Sequence, residues 1–423
     1  MQKKRFSMKR KASSIAALFL VFLIGFGSPA AGAVPSARQM SENVSNVLAK
    51  SVPAGGLQIG AFDGEWTVIA LARAGRGAPA VYDTYSWNAA AEVQKKKGVL
   101  SDSKDTEYSR AILGLTAVGR NPRNVSGYNL IQPLANYDKV VSQGINGAIY
   151  ALLALDSGKY SMPTLSSAQG TQNSRQKMVD YILSKEINKG TNSAGGWALT
   201  GTDPDPDITS MALQALANYT SSSSVQAAVD RAVSTLSKIQ SSSGGYTSWG
   251  TENSESTAQV IVALTALGIS PERQDFVKNG HTLISVLAQY YLPGKGFKNM
   301  LSDSSANKMA TDQCAYALAA YNRFQSGENS LYDMTDVHSV FDTFSSDTEG
   351  RFSVSGAYLF RISSKNGRAP VFSVGTPGIF TQRLVKKSGS SYFFRIQAVG
   401  PVGSCAGIYV NGSRIAVASI RSR

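Results

Sequence analysis

The run DITSMALQAL (207–216) closes on a small residue followed by leucine, and five relatives of it occur along the chain. They are FDGEWTVIAL (62–71), TEYSRAILGL (106–115), NGAIYALLAL (146–155), ESTAQVIVAL (255–264) and MATDQCAYAL (309–318). The closing leucines lie 44, 40, 61, 48 and 54 residues apart. Periods of that size belong to helical repeat arrays. Each copy is rich in Ala and nearly free of charge after its first turn, so each predicts a helix buried on several sides. Longer amphipathic stretches lie between the copies, at 36–50, 86–97, 128–143, 171–187, 224–240 and 272–291. In VQAAVDRAVSTLSKIQ (225–240) the apolar residues fall at spacings of three and four, the mark of a helix with one buried face. Ser221 to Ser224 offer N-caps for it. The alternation predicts a mainly α chain, a six-fold α/α toroid with inner and outer helices, followed by a small antiparallel β-domain.

Glycines just past the inner helices, at Gly75, Gly119, Gly158 and Gly268, suit left-handed C′ positions. After about residue 345 the pattern changes. AYLFRIS (357–363), PVFSV (370–374), IFTQRLV (379–385), SYFFRIQAV (391–399), CAGIYV (405–410) and RIAVASI (414–420) have period-two or short apolar character, with turn residues between them. They predict about six strands, with DTFSSDTEG (342–350) as a linker. The expected organisation is a signal peptide at 1–33, a toroid of six helix pairs at 34–344, and a basic β-sandwich-like domain at 350–423.

The signal-peptide reading rests on Lys3, Lys4, Arg5, Lys9, Arg10 and Lys11, the apolar run Ile15 to Phe26, and the small-x-small triplet Ala31-Gly32-Ala33. The apolar run of 12 residues is short for a membrane span. The expected location is secreted or at the cell surface, with no transmembrane span after signal removal. Cys314 and Cys405 read as two small buried hydrophobes rather than a disulfide framework.

The net charge of +14 is unevenly placed. Residues 34–349 carry 25 Lys/Arg against 28 Asp/Glu, whereas 350–423 carry 11 Lys/Arg and no acid. An acidic cluster is expected where the inner helices begin: Asp63, Glu65, Asp105, Glu107, Asp203, Asp205, Asp207, Glu252, Glu255 and Asp312. Such residues pair favourably with helix dipoles. They also offer a mouth to which Arg361, Arg368, Arg383, Lys386, Lys387 and Arg395 of the β-domain could dock. An anionic cell-wall polymer is the other expected target for those cations. Nucleic acid is not an expected partner.

TNSAGGWALTGTDPDPDITSMALQAL (191–216) and QSSSGGYTSWGTENSESTAQVIVAL (240–264) resemble the prenyltransferase and squalene-cyclase repeat family. Gln240-x-x-x-Gly244-x-Tyr246 fits its Gln-x-x-x-Gly-x-Trp pattern with Tyr for Trp, and Gly195-x-Trp197 fits with Thr191 for Gln. The resemblance implies the toroid and leaves activity open. The class II cyclases of that family use Asp-x-Asp-Asp before Thr. Here Asp205-Pro206-Asp207-Ile208-Thr209 has Ile208 at the second adjacent acid, which removes the neighbour that tunes the acid. The family's zinc-binding members use Asp-x-Cys with a distant His. Asp312 and Cys314 supply the pair, but His281 and His338 lack the context for a third ligand. The order signal, toroid, β-domain resembles the cobalamin carriers, similar to transcobalamin and intrinsic factor, which implies cobalamin as a possible small-molecule ligand and no other cofactor.

The sequence therefore leans away from an enzyme. It predicts an exported, non-catalytic protein that holds a small ligand or surface partner at the toroid mouth. The expected ligand-binding residues are Trp197, Asp205, Asp207, Tyr246, Trp249 and Glu255, with no catalytic and no metal-binding residue. The alternatives are a terpenoid cyclase-like or prenyltransferase-like enzyme, and a surface-attachment or structural protein.

Overall fold

Twelve α-helices alternate between two layers in the computed structural model, which describes residues 35–61, 64–76, 79–166, 170–337, 344–365, 367, 369–410 and 413–422. In chain order they are α1 (Ala37–Ser51), α2 (Glu65–Arg73), α3 (Pro79–Lys95), α4 (Asp105–Ala117), α5 (Tyr137–Ser142), α6 (Ile145–Ser157), α7 (Arg175–Ser184), α8 (Pro206–Leu216), α9 (Ser223–Ile239), α10 (Ser254–Ala266), α11 (Leu283–Gln289) and α12 (Lys308–Gln325). The even-numbered helices are the six repeat copies. α2 packs on α4, α4 on α6, α6 on α8, α8 on α10, α10 on α12, and α12 returns to α2. These neighbour relations close on themselves. The odd-numbered helices pack outside, and α9 covers its partner with one face, Val225, Ala228, Val229, Ala232, Val233 and Leu236.

The small residue before each closing leucine is explained at Gly114. A Cβ there would stand 2.6 Å from Tyr85 Oη and 3.0 Å from Glu65 Cγ, so only glycine lets α3 and α2 approach α4 so closely. Two of the expected outer helices are broken. The 128–143 stretch yields a 3₁₀ turn at Gln132–Ala135, with Pro133 near its start, and then the short α5. The 272–291 stretch yields a 3₁₀ turn at Gln274–Phe276 and the seven-residue α11. Gly75, Gly119 and Gly268 have the expected positive φ, but Gly158 does not; its φ is −117° and the left-handed residue is Lys159. Glycine is still required there, because a Cβ would meet the Tyr160 ring at 2.5 Å. Ser222 is the N-cap of α9 but makes no side-chain capping bond.

Two short hairpins precede inner helices: β1 (Tyr246–Ser248) with β2 (Thr251–Asn253) before α10, and β3 (Tyr291–Leu292) with β4 (Gly296–Phe297) before α12. The C-terminal region is β5 (Phe344–Ser346), β6 (Gly350–Val354), β7 (Ala357–Ser364), β8 (Phe372–Val374), β9 (Phe380–Ser388), β10 (Ser391–Ala398), β11 (Cys405–Val410) and β12 (Ser413–Ile420). One sheet has the order β5-β7-β10-β9 and the other β6-β12-β11-β8. Their inner faces share a core that includes Phe344, Phe360, Phe372 and Phe394. The expectation of six antiparallel strands is thus corrected: β6 runs parallel to β12, and the stretch read as a linker contributes β5, with Phe344 1% exposed.

The helical and β regions meet along α3. Asp83 accepts from Arg120 at 2.7 Å and from Arg414 at 2.9 Å. The guanidiniums of Arg351 and Arg414 lie 5.1 and 4.7 Å from the Trp87 ring centre. A cleft of about 390 Å³ remains between the regions, lined by Trp87, Asn121, Asn124 and Glu349. Arg120 lies just past the C-terminus of α4, so this contact is at the opposite end of the inner helices from the acidic N-termini. None of Arg361, Arg383, Lys386, Lys387 and Arg395 makes it, and Arg368 lies outside the described residues. The signal segment and its cleavage triplet also lie outside them. Among the described residues no helix is long and apolar enough to cross a membrane.

Candidate functional site

The acids at the inner-helix N-termini are mostly occupied. Glu65 takes an ion pair from Arg110 at 3.2 Å, the Gly60 N–H at 2.8 Å and the Tyr85 hydroxyl at 3.3 Å. Burial still pushes its carboxyl above the usual range. Asp312 joins α12 to α2 by accepting from Thr67 Oγ1 at 2.8 Å and Lys308 Nζ at 2.5 Å. Glu255 Oε2 accepts from Ser254 Oγ at 3.0 Å and Asn299 Nδ2 at 2.9 Å. Glu252 takes hydroxyls from Ser241 and Ser243. Asp63 lies outside the described residues.

The arrangement differs around α8. Pro206 starts the helix and Asp205 caps it, with Oδ1 accepting from the Ile208 N–H at 2.9 Å. Asp205 Oδ2 accepts from Ser248 Oγ of β1 at 2.5 Å. Asp207 lies one residue inside the helix, and its Oδ1 is buried with no hydrogen-bond partner. Burial raises its carboxyl to about 6, and Asp205 and Glu255 push in the same direction. The nearby hydroxyls of Ser256 and Ser248 act against them. Asp207 also lies close enough to Tyr150 of α6 to raise the phenol, already pushed up to about 12 chiefly by burial. A carboxyl with that poise is partly protonated near neutral pH and can pass a proton in either direction.

Beside this pair is a groove of about 220 Å³ lined by Leu199, Asp203, Asp205, Ile208, Ser248 and Trp249, among others. Neither Lys nor Arg lines it. Trp249 is 82% exposed and holds a left-handed φ of 53° at the tip of the β1–β2 hairpin. That conformation costs energy for a non-glycine residue, and the residue lines the acidic groove. Toward the ring axis, Trp66 meets Tyr150 and Tyr316 at centroid distances of 6.0 and 6.2 Å. Gln214 donates to Gln259 Oε1 at 3.0 Å, and Gln259 donates to Gln313 Oε1 at 2.9 Å and Tyr316 Oη at 2.6 Å. Aromatic rings and an amide chain therefore cross the axis where a polyene cyclase would need a deep apolar cavity.

Of the six expected ligand-binding residues, Asp205 and Trp249 line this groove, while Asp207 and Glu255 stand behind it, near enough for Glu255 to raise the Asp207 carboxyl. Trp197 and Tyr246 do not present a face to a ligand, since both are 0% exposed. Trp197 Nε1 donates to Ile182 O at 2.8 Å and Tyr246 Oη donates to Leu236 O at 3.1 Å. Those carbonyls belong to the last turns of α7 and α9, where helical partners run out. The Gly-x-aromatic pattern is thus a helix-end staple. Gln240 has the same duty, donating to Gly244 O and Phe276 O. Trp197 N also donates to Thr209 Oγ1 at 2.9 Å, and Phe297 repeats this on Thr311 at 3.0 Å. The sequence reading missed this Phe297 copy, for which the glycines before it and the threonine fourteen residues on were the signal. It also missed Ser248, Ser256 and Tyr150, because serines in a serine-rich stretch and a tyrosine in an Ala/Leu helix carry no local mark.

The Asp312–Cys314 pair is not free to bind zinc as it stands. Asp312 is held by Lys308, and burial raises the Cys314 thiol well above its ordinary value. Among the described residues no group of three or more His, Cys, Asp or Glu is placed to hold a metal ion. His338 lies outside those residues. Cys405, expected to be buried, is exposed.

No family model matches this chain, and neither does any curated protein at a significant level. Among solved structures it is similar to unsaturated glucuronyl hydrolase from Bacillus sp. GL1, which is responsible for the degradation of glycosaminoglycan. The two are 12% identical with a TM-score of 0.45 over 70% of this chain and 98% of that one. The neighbour is a hydrolase. This finding overturns the expectation of a non-catalytic, transcobalamin-like or terpenoid cyclase-like binder, and with it the lean away from an enzyme. A likeness at this level transfers no residue role and no substrate.

Proposed function

We propose that six helix pairs close into an α/α toroid whose N-terminal mouth is the active site of an enzyme that cleaves uncharged glycans. The supporting observation is the Asp207 carboxyl, raised to about 6 close behind the groove that Asp205 and Ser248 line. Glycoside cleavage needs a carboxylic acid that is protonated near the working pH and a second carboxylate. Asp207 gives its proton to the glycosidic oxygen as the C–O bond breaks. Asp205 takes a proton from the water whose oxygen bonds to the anomeric carbon. Trp249 offers a flat apolar face to a sugar ring, as exposed aromatics with a polar edge do. The carboxylates accept from sugar hydroxyls. A groove with acids and no Lys or Arg repels anionic chains, so the substrate class is neutral or N-acetylated.

The basic, apolar and small-residue order of residues 1–33 supports export, which would put the enzyme where such polymers are met. The direct test is cleavage of end-labelled chito-, cello-, malto- and xylo-oligosaccharides by the purified protein and by Asp207→Asn. Turnover of one series, reduced roughly 100-fold or more in the variant, supports the assignment. Failure to cleave any series, or a fully active variant, removes it.

A further inference from the structure

The C-terminal β region carries a feature that the proposed catalytic site does not use. Leu359 and Arg361 of β7, Phe393 and Arg395 of β10, and Arg383 and Lys386 of β9 share one face of the β5-β7-β10-β9 sheet. Register requires it: Arg395 lies opposite both Leu359 and Arg383, and Phe393 lies opposite both Arg361 and Lys386. Directly opposed residues point to the same side of a sheet. The alternate residues Phe360, Ile362, Tyr392, Phe394 and Ile396 are buried, so the face with the cations is the outer one. Arg361, Arg383, Lys386 and Arg395 are exposed, and among the described residues none of them forms a salt bridge.

Like charges directly opposite on a sheet repel, and Arg383 against Arg395 is such a pair. No acid from residue 350 onward relieves it. Lys387 is different: it pairs with Tyr392 on the core side, with Nζ 5.3 Å from that ring. The cations are therefore sorted by face. Four stand on the outer face over three adjacent strands, spaced by roughly 5 Å per strand. Arginine forks bind oxyanions by two parallel hydrogen bonds. A flat array of this kind matches a chain with an anionic group at every repeat. Of the exposed leucines, Leu359 shares the cation face and Leu384, opposite core residue Phe394, faces away; one leucine among four cations suits a polyanion better than a bilayer.

We propose that this outer sheet face binds a linear polyanion with phosphodiester-type repeating charge and holds the protein on it. The full-length chain and linear inorganic polyphosphate test this by fluorescence anisotropy across a salt series. The expected result is saturable binding whose log K falls with log salt at a slope of about −3, from roughly −0.7 to −0.9 per contact. Arg383→Gln with Arg395→Gln should reduce the slope by about half and weaken binding at least tenfold. Lys387→Gln removes one charge from the other face and should leave the slope unchanged. Circular dichroism melts establish that all variants fold. Three results would overturn the proposal: no salt-dependent binding at low ionic strength, equal weakening by Lys387→Gln, or binding to phosphatidylglycerol vesicles but not to polyphosphate.

Discussion

The Ser248 hydroxyl donates to Asp205 Oδ2 at 2.5 Å, and this one bond ties the β1–β2 hairpin to the N-cap of α8. It places exposed Trp249 on the same groove as that capping carboxylate. Ser248→Ala should keep α8 intact yet loosen the hairpin. The expected outcome is a fall in kcat/KM of about tenfold with a change in stability near 1 kcal/mol. Steady-state kinetics and urea melts on the same preparation check it. An unchanged kcat/KM would show that the hairpin has no part in catalysis.

Two aromatics of the same motif have separate duties. Trp249→Ala should raise KM several-fold with little loss of stability, because the indole touches mainly solvent. Tyr246→Phe removes the bond to Leu236 O and should cost about 1 kcal/mol with KM unchanged. The reverse pattern, with KM moved by Tyr246→Phe alone, would place the substrate elsewhere.

Lys308 neutralises the buried Asp312 between α12 and α2. Lys308→Met removes the cation while Thr67 still donates to that carboxylate, and should destabilise the protein by about 2–3 kcal/mol. The double variant Lys308→Met with Asp312→Leu should recover part of the loss. Denaturant titrations of the two variants decide the point.

Asp105 at the start of α4 is raised to about 6, chiefly by burial, against an ordinary value of 3.8. The folded state holds this proton more tightly than the unfolded chain does. Its contribution to stability is therefore greatest below about pH 4 and declines as pH rises toward 6. Asp105→Asn should be more stable than the parent by about 1–2 kcal/mol at pH 7.5, since the site remains partly hydrated. The advantage should vanish at pH 3.5. Melting curves at the two pH values suffice, and a variant less stable at pH 7.5 contradicts the origin given to the shift.

The inner helices were legible because burial on all sides leaves a dense record of Ala and Leu. Each expected copy overlaps its helix closely, as ESTAQVIVAL overlaps Ser254–Ala266. The outer layer was legible only where it is a continuous amphipathic helix, as at α9. Where Pro133 or a 3₁₀ turn interrupts, periodicity alone could not locate the break. Trp197 and Tyr246 were misread because an aromatic beside glycines looks the same in sequence whether it caps a helix or lines a cleft. The cations of the β region were visible as composition, but which face each takes follows from register. Lys386 and Lys387 are adjacent and face opposite ways. The raised carboxyl of Asp207 comes chiefly from burial, with a push from Glu255 48 residues away, which no local reading joins to it.

The most direct test of the central claim is the pH dependence of kcat/KM for glycan cleavage by the parent and by Asp207→Asn. Activity is expected to fall as pH rises through about 6, when Asp207 loses its proton, and the residual activity of the variant to lack this limb. A parent profile flat from pH 5 to 8, or the same limb persisting in the variant, would contradict Asp207 as the proton donor.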